Sequence, residues 1–557
     1  MNYDHREQRL SAVDGVNALF LIAWRNLARV NVDFWLITLA AVLAWGSFHL
    51  GERVAVRDGL GWDGEVYWSW VKDFPHEFGD AGIDSYRIQR IMSSFTLYST
   101  FKLTGIEPTV RNTLRGFAAL NIVSIVLVAC FWCLTANHLK ISTRGKWLGF
   151  VGLLLNFAVL KLSGYYPILV DMHAYANGAA MSYCYVTRRR FGMWIATIVG
   201  SFLWPTQLYI GTILSLFPRT IEKQNEADSE RFSRPPTGSS VNNTINAPFR
   251  FDIIIAALAA FYLCVWSFYV SQRITLPMFG GLFPIQPVLG LSLSFVSLYV
   301  YLGLRPLLNC RELYRWPKIF SRQQILWTIG SLLIVVGVKF GQASLSNRPG
   351  YFSFNVYCFT IGITAIAKPG LYFLSHLVYF GPFWFFAARF WPTICREIHR
   401  QRGIGLTLVT AIGVCHSLDA ESRHLIYLVP MILPYVVKSI EGLQWTNLQL
   451  TFLTIVSVLA SKYWLVIGGP FHDNGNVFPD QYFWMNIGAF MSDETYIWQL
   501  PCCAFIVMAM HQVLLTSSIR SPHQEASVRQ DPAIRTGQFE VFSSIVDEND
   551  QSAPSAA

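Results

Sequence analysis

The chain has 557 residues, of which 53% are hydrophobic and only 14% charged, against about 25% charged in an average soluble protein. That balance excludes a disordered chain, a coiled coil and a disulfide scaffold, and it argues against a soluble enzyme, because the apolar residues fall in blocks of spanning length. The net charge of +9, from 43 Lys and Arg against 34 Asp and Glu, sits beside those blocks, so it marks cytoplasmic loops rather than a nucleic-acid surface.

The first fourteen residues are mostly polar, which does not fit a cleavable signal. Residues 16–30 mix apolar side chains with Arg25 and Arg29, the pattern of a helix lying on a membrane surface. Residues 1–32 are therefore read as a cytoplasmic segment with an interfacial helix. A spanning helix needs about 20 apolar residues. Segments near 33–50, 113–135, 147–164, 171–187, 251–271, 286–304, 323–341, 371–393, 404–418, 424–438, 447–467 and 496–516 meet that demand. The stretch 191–217 is too long for one span and carries Pro205 at its centre. Proline breaks or kinks a helix, so two short helices are predicted there, meeting at Trp204-Pro205. The predicted fold is an all-α polytopic membrane bundle of about 12–14 transmembrane helices over residues 33–516. Cys130 and Cys133 lie inside the apolar run 122–134 with no second ligand pair nearby, so they read as small buried hydrophobes rather than a metal site.

With the N-terminus inside, the basic stretches at Lys140–Lys146, Arg188–Arg190, the loop 218–250, Arg305–Arg322 and Arg396–Arg402, with Arg520, all fall on the cytoplasmic side, while 165–170 and 468–495 contain no Lys or Arg. The charge asymmetry predicts a plasma-membrane protein with both termini cytoplasmic. The loop 222–246 and the tail 517–557 lack apolar periodicity and are read as disordered.

The first outer loop, 51–111, carries the strongest chemical signal. Eight of the 34 acids fall between Glu52 and Asp84, among them Asp63 and Glu65, interleaved with Trp62, Tyr67, Trp68, Trp70, Phe74 and Phe78. Carboxylates among aromatic rings suit a sugar site, and they equally suit a solvated loop with an interfacial aromatic belt. From Asp84 onward, Ile88, Ile91, Met92, Phe95 and Tyr98 recur at helical spacing with Arg87 and Arg90 on one flank. This predicts an amphipathic surface helix whose guanidinium groups bind a lipid phosphate or anchor to lipid headgroups.

Gly61-Trp62-Asp63-Gly64-Glu65-Val66-Tyr67 and Asp84-Ser85-Tyr86-Arg87-Ile88-Gln89-Arg90, following a first span, resemble bacterial members of the GT-C superfamily, polytopic membrane glycosyltransferases that use lipid-phosphate-linked sugars. Phe202-Leu203-Trp204-Pro205-Thr206-Gln207 is similar to the short-helix pair of that fold, and Glu421-Ser422-Arg423-His424 to its late arginine motif. The resemblance implies a polyprenyl-phosphate sugar donor and a glycan or lipid acceptor on the outer face. It implies Asp63 as the base or acceptor-positioning acid and Arg423 as the ligand of the lipid phosphate, with Arg87 and Arg90 as further candidates. A divalent cation, Mg or Mn, could share the phosphate charge. Asp171 and His173, after Gly164-Tyr165-Tyr166-Pro167, are the candidate second acid and its neighbour. Glu65, Tyr67, Glu421 and His424 complete the candidate binding set, and His472, Asp473 and Asp480 lie in the last outer loop. A polymerase or ligase joining whole repeat units, a polytopic transporter and a non-catalytic scaffold remain alternatives. The transporter is disfavoured because only one broken helix pair is visible, where transporters tend to repeat the device in both halves.

Overall fold

The computed structural model describes residues 31–219, 251–273, 285–309, 322–348, 354–400, 403–467, 491 and 493–516. The expected interfacial helix at 16–30, the loop 222–246, the tail 517–557 and His472, Asp473 and Asp480 lie outside the described residues. Among the described residues every regular element is helical, with one isolated bridge between Asp84 and Arg348.

Helix α1 (Val32–Leu50) opens the bundle. The first loop then folds as α2 (Gly64–Lys72), α3 (Phe74–Gly79), a 3₁₀ turn at Arg87–Arg90 and α4 (Met92–Thr104). Next come α5 (Val110–His138), α6 (Thr143–Leu154), α7 (Asp171–Thr187) and the pair α8 (Arg190–Gly200) and α9 (Gln207–Leu216). The second half contains α10 (Phe251–Arg273), α11 (Ile285–Leu308), α12 (Arg322–Leu345), α13 (Phe354–Ala367), α14 (Leu371–Phe380), α15 (Pro382–Arg389), α16 (Trp391–Arg400) and α17 (Ile404–His416). It closes with the 3₁₀ turn Ser422–Leu428 running into α18 (Val429–Glu441), then α19 (Asn447–Ala460) and α20 (Asp493–Thr516).

Seven helices among the described residues are long and apolar enough to cross a membrane, nine if each of two sharply bent pairs counts as one span. That is fewer than the 12–14 expected. Several apolar blocks of the sequence are split or shortened into helices of 10–17 residues, as at α9, α17 and α19. The break predicted at Pro205 is present, between Gly200 and Gln207. The span expected at 371–393 is instead two helices broken at Gly381 (φ +73°) and Pro382. A helix that the sequence reading missed, α13, meets α14 at 95°. Lys368 at that corner is fully buried, with its ammonium donating to the Met491 carbonyl at 2.6 Å.

Helix α7 lies at the centre. Its sequence alternates Ala174, Ala176, Gly178 and Ala179, all buried, and small residues let backbones approach closely. A Cβ on Gly178 would stand 2.2 Å from the Tyr427 carbonyl oxygen. The irregular stretch before α7 is satisfied internally, as buried backbone in an apolar medium requires. Asn121 donates to the Pro167 carbonyl at 2.8 Å, Ser47 to that of Leu160 at 2.9 Å, and Asn156 Oδ1 accepts the Val159 N–H at 3.1 Å. Large apolar side chains such as Trp45, Leu258, Phe261, Leu333 and Phe340 point outward, which suits a hydrocarbon solvent.

The two ends of the bundle are tied differently. At one end Asp33 takes the Lys146 ammonium at 2.6 Å and the Asn137 amide at 2.7 Å, and Glu441 accepts the Ser142 N–H. At the other, Glu52 pairs with buried Lys161 at 2.7 Å and accepts the Ile467 N–H at 2.9 Å. The first loop lies at this second end.

Candidate functional site

Four segments remote in sequence meet at the second end: the first loop, the stretch before α7, the α8–α9 turn and the α17–α18 turn. The Asp63 turn is shaped by its glycines. Gly61 has φ +65°, and a Cβ on it would stand 2.5 Å from the Tyr166 ring; one on Gly64 would stand 2.8 Å from Ile168. Only glycine at both positions lets the loop lie flat on 166–168. The Asp63 N–H donates to the Tyr166 hydroxyl at 2.8 Å. The Asp63 side chain stays exposed, while Tyr67, one turn further, is buried against Trp70. Burial pushes the Tyr67 phenol up to about 12, with Arg90 opposing the rise.

Asp84 shapes the next turn. Its carboxylate accepts the N–H groups of Tyr86 at 2.9 Å and Arg87 at 2.8 Å. The amphipathic helix expected from Asp84 onward is therefore a 3₁₀ turn followed, after Ile91, by α4, and its two arginines part company. Arg87 is half exposed and held by Asp84 at 3.4 Å. Arg90 is buried, with its guanidinium 4.7 Å from the Tyr86 ring centre and 4.5 Å from that of Trp204. Burial works against the Arg90 charge, but the Tyr86 and Tyr67 oxygens outweigh it and hold the guanidinium above its ordinary value. Burial likewise raises the Tyr86 phenol. The Arg90 Nε has no hydrogen-bond partner among the described residues.

Trp204 belongs to the α8–α9 turn. The Met92 N–H donates to the Phe202 carbonyl at 3.1 Å and Thr206 donates to the Tyr427 hydroxyl at 2.6 Å, so this turn is pinned to both the first loop and the late segment. The Trp204 ring contacts the Arg90 guanidinium and stands 5.6 Å, centre to centre, from the His424 ring.

The late segment is a chain of charges. Asp419 Oδ2 lies 2.6 Å from His424 Nδ1, and Asp419 Oδ1 accepts the Glu421 N–H at 3.0 Å. Glu421 accepts from Arg423 Nε and stands 3.6 Å from His424 Nε2. Burial alone would raise both carboxyls. For Asp419 the adjacent His424, and for Glu421 the Arg423 guanidinium, more than offset it and hold them below the ordinary range. Tyr357, on α13, bonds His416 and places its ring 6.1 Å from that of His424.

Asp171 completes the arrangement. It is 3% exposed, and its Oδ1 has no hydrogen-bond partner among the described residues. The charges it feels are Arg423, Arg90, His424 and Glu421, while Arg423 feels Glu421, Asp171 and Asp63. His173, beside it, bonds Ser93 at 2.9 Å through Nδ1, and its buried Nε2 has no partner among the described residues. The structure thus brings together Asp63, Asp171, Tyr67, Arg90, Glu421, Arg423 and His424. It leaves Arg87 on Asp84, and it leaves Glu65 at 2.6 Å from Arg57 with both side chains more than half exposed. Tyr166 and Tyr357 were not singled out from the sequence, and Tyr86 entered only as part of the motif Asp84–Arg90. Tyr166 follows a Gly-Tyr motif that drew notice only for Asp171, and Tyr357 sits on the unforeseen helix.

Arg90, whose Nε lacks a partner among the described residues, and Arg423 can together hold an anion such as a phosphate, since Arg matches phosphate oxygens bidentately. Among the described residues no three His, Cys, Asp or Glu side chains form a metal-ligand set. No protein-family model, curated protein or solved structure matches the chain.

Proposed function

We propose that this membrane protein is a GT-C-like glycosyltransferase of the plasma membrane, with both termini cytoplasmic and the acid–arginine cluster on the outer face. It moves a sugar from a polyprenyl-phosphate donor to a glycan or lipid acceptor. The supporting observation is the convergence of Asp63 and Arg90 from the first loop, Asp171 from the start of α7 and Arg423 from the α17–α18 turn. In this reading Arg423 and Arg90 take the donor phosphate, Trp204 offers a ring face beside it, and exposed Asp63 meets the acceptor. Asp63 accepts the proton of the acceptor hydroxyl as its oxygen bonds the anomeric carbon. The bond from that carbon to the phosphate oxygen breaks, and polyprenyl phosphate leaves with the electron pair, its charge held by the arginines. Asp171 keeps the two guanidiniums oriented.

The test is a strain lacking the protein, complemented with wild type or Asp63→Asn, in which lipid-linked sugars and surface glycans are profiled. The reading predicts that the strain lacking the protein and the Asp63→Asn strain both accumulate one lipid-linked sugar and lose one glycan feature, while wild type restores both. Full restoration by Asp63→Asn removes Asp63 from the mechanism.

A further inference from the structure

At the opposite end of the bundle, a shallow recess, open at its mouth, is lined by Tyr185, Arg188, Arg189, Arg190, Trp194 and Trp327, among others. Arg188 caps α7 in the left-handed region (φ +61°), a conformation that costs a non-glycine residue about 1–2 kcal/mol and turns the chain sharply into α8. Arg190 begins α8, so the helix N-terminus, with its partial positive charge, opens on the same space. The Arg190 guanidinium lies 5.1 Å from the Trp327 ring centre, and Trp327 packs against Trp194 at 4.5 Å.

Among the described residues these positive charges have no carboxylate paired with them. No described Asp or Glu forms an ion pair with Arg188, Arg189 or Arg190, and Arg188 Nη2 and Arg190 Nη1 are buried without a hydrogen-bond partner among the described residues. Arg219, which donates to the Val186 carbonyl at 2.7 Å, adds a further charge that Arg188 feels. Burial first, then the Arg219 and Arg190 charges, hold the Arg188 guanidinium below its ordinary value. Topology alone asks for basic residues on this side, but solvated ones; it does not ask for guanidinium nitrogens turned inward and left unpaired.

We propose that this recess is a phosphate-binding site, distinct from the acid–arginine cluster, in which Arg188 and Arg190 hold a phosphate monoester or diester over the α8 N-terminus. The phosphate is that of an anionic lipid headgroup in the adjacent leaflet or a free phosphate. Guanidinium–phosphate bonds are short and charge-assisted, and the indole walls keep them partly dry.

The full chain is purified and its melting temperature followed against inorganic phosphate. In parallel, after reconstitution with phosphatidylglycerol or with phosphatidylcholine alone, retained lipid is counted by native mass spectrometry. Wild type is stabilised by phosphate, or retains phosphatidylglycerol in preference to phosphatidylcholine; which probe responds identifies the source. Arg188→Gln with Arg190→Gln weakens the response at least tenfold, and Arg188→Lys with Arg190→Lys keeps part of it. Trp327→Leu, which leaves every charge in place, also weakens it and serves if the double variant does not fold. A wild-type protein that responds to neither probe, or a response left intact by both the Gln pair and Trp327→Leu, overturns the proposal.

Discussion

Arg423→Gln separates what Arg423 does for the fold from what it does for a ligand. Its side chain is 15% exposed and that of Glu421 11%. Removing it leaves the Glu421 carboxylate without its strongest partner and takes a counter-charge from buried Asp171. Breaking a buried pair by removing one member costs about 3–5 kcal/mol. The partial exposure places this case near the low end, about 3 kcal/mol, a fall in melting temperature of about 2–3 °C for a chain of this size. Neutralising Glu421 as well, in Arg423→Gln/Glu421→Gln, removes the stranded charge and recovers about half of that loss. Donor binding follows a different rule. The lost charged hydrogen bonds are worth about 1.5–3 kcal/mol, a drop in affinity of about 10- to 150-fold, and the second substitution does not restore it. Intrinsic fluorescence melting in detergent gives the stability cycle, and titration with a polyprenyl-phosphate sugar gives the affinity. A double variant no more stable than Arg423→Gln, or one that binds donor like wild type, refutes the reasoning.

Two other consequences concern acid and backbone. Asp419 and Glu421 have depressed carboxyl values in the folded chain. Such groups add stability that is present above their unfolded value, about 4, and lost as pH falls through the folded value. The melting temperature therefore drops as pH is lowered below about 4, and Glu421→Gln makes that drop shallower; an identical acid profile in the variant contradicts the assignment. Gly61→Ala forces a Cβ to within 2.5 Å of the Tyr166 ring at φ +65°, where the backbone alone costs about 1–2 kcal/mol. The Asp63 amide should then exchange hydrogen faster, with sugar transfer reduced at least tenfold; unchanged exchange and transfer would show that the turn does not depend on this contact.

What could be read from the sequence follows from how local each signal is. Pro205 marks the α8–α9 break because proline acts on its own turn. The outward faces of α1, α10 and α12 follow from apolar length. Helix α13 was missed because its 14 residues fall short of a span, so 342–370 read as an outer connection in which Arg348 and Lys368 broke the charge bias. Lys368 is instead buried and satisfied by a carbonyl 123 residues away in sequence, and no local pattern records that. The parting of Arg87 and Arg90 was also out of reach. Both fit one helical flank, but Asp84 captures the first and Trp204, from a distant turn, the second. Asp63 and Arg423 stood out through short motifs and Asp171 as an acid at the end of a span; how they sit relative to one another was not legible, since neither periodicity nor charge specifies contacts at such separation. The basic cluster at 188–190 was legible only as topology; that two of its guanidiniums turn inward depends on the positive φ of Arg188 and the packing of Trp327.

The most direct measurement is the release of polyprenyl phosphate from a polyprenyl-phosphate-linked sugar by the purified chain in lipid nanodiscs, with acceptor lipid or glycan supplied. The account predicts acceptor-dependent release by wild type. In Asp63→Asn it predicts release lower by about 10²- to 10⁴-fold, the range for loss of a general base, with donor binding retained. Donor that binds and stays intact with every acceptor offered, or release at the wild-type rate from Asp63→Asn, would contradict it.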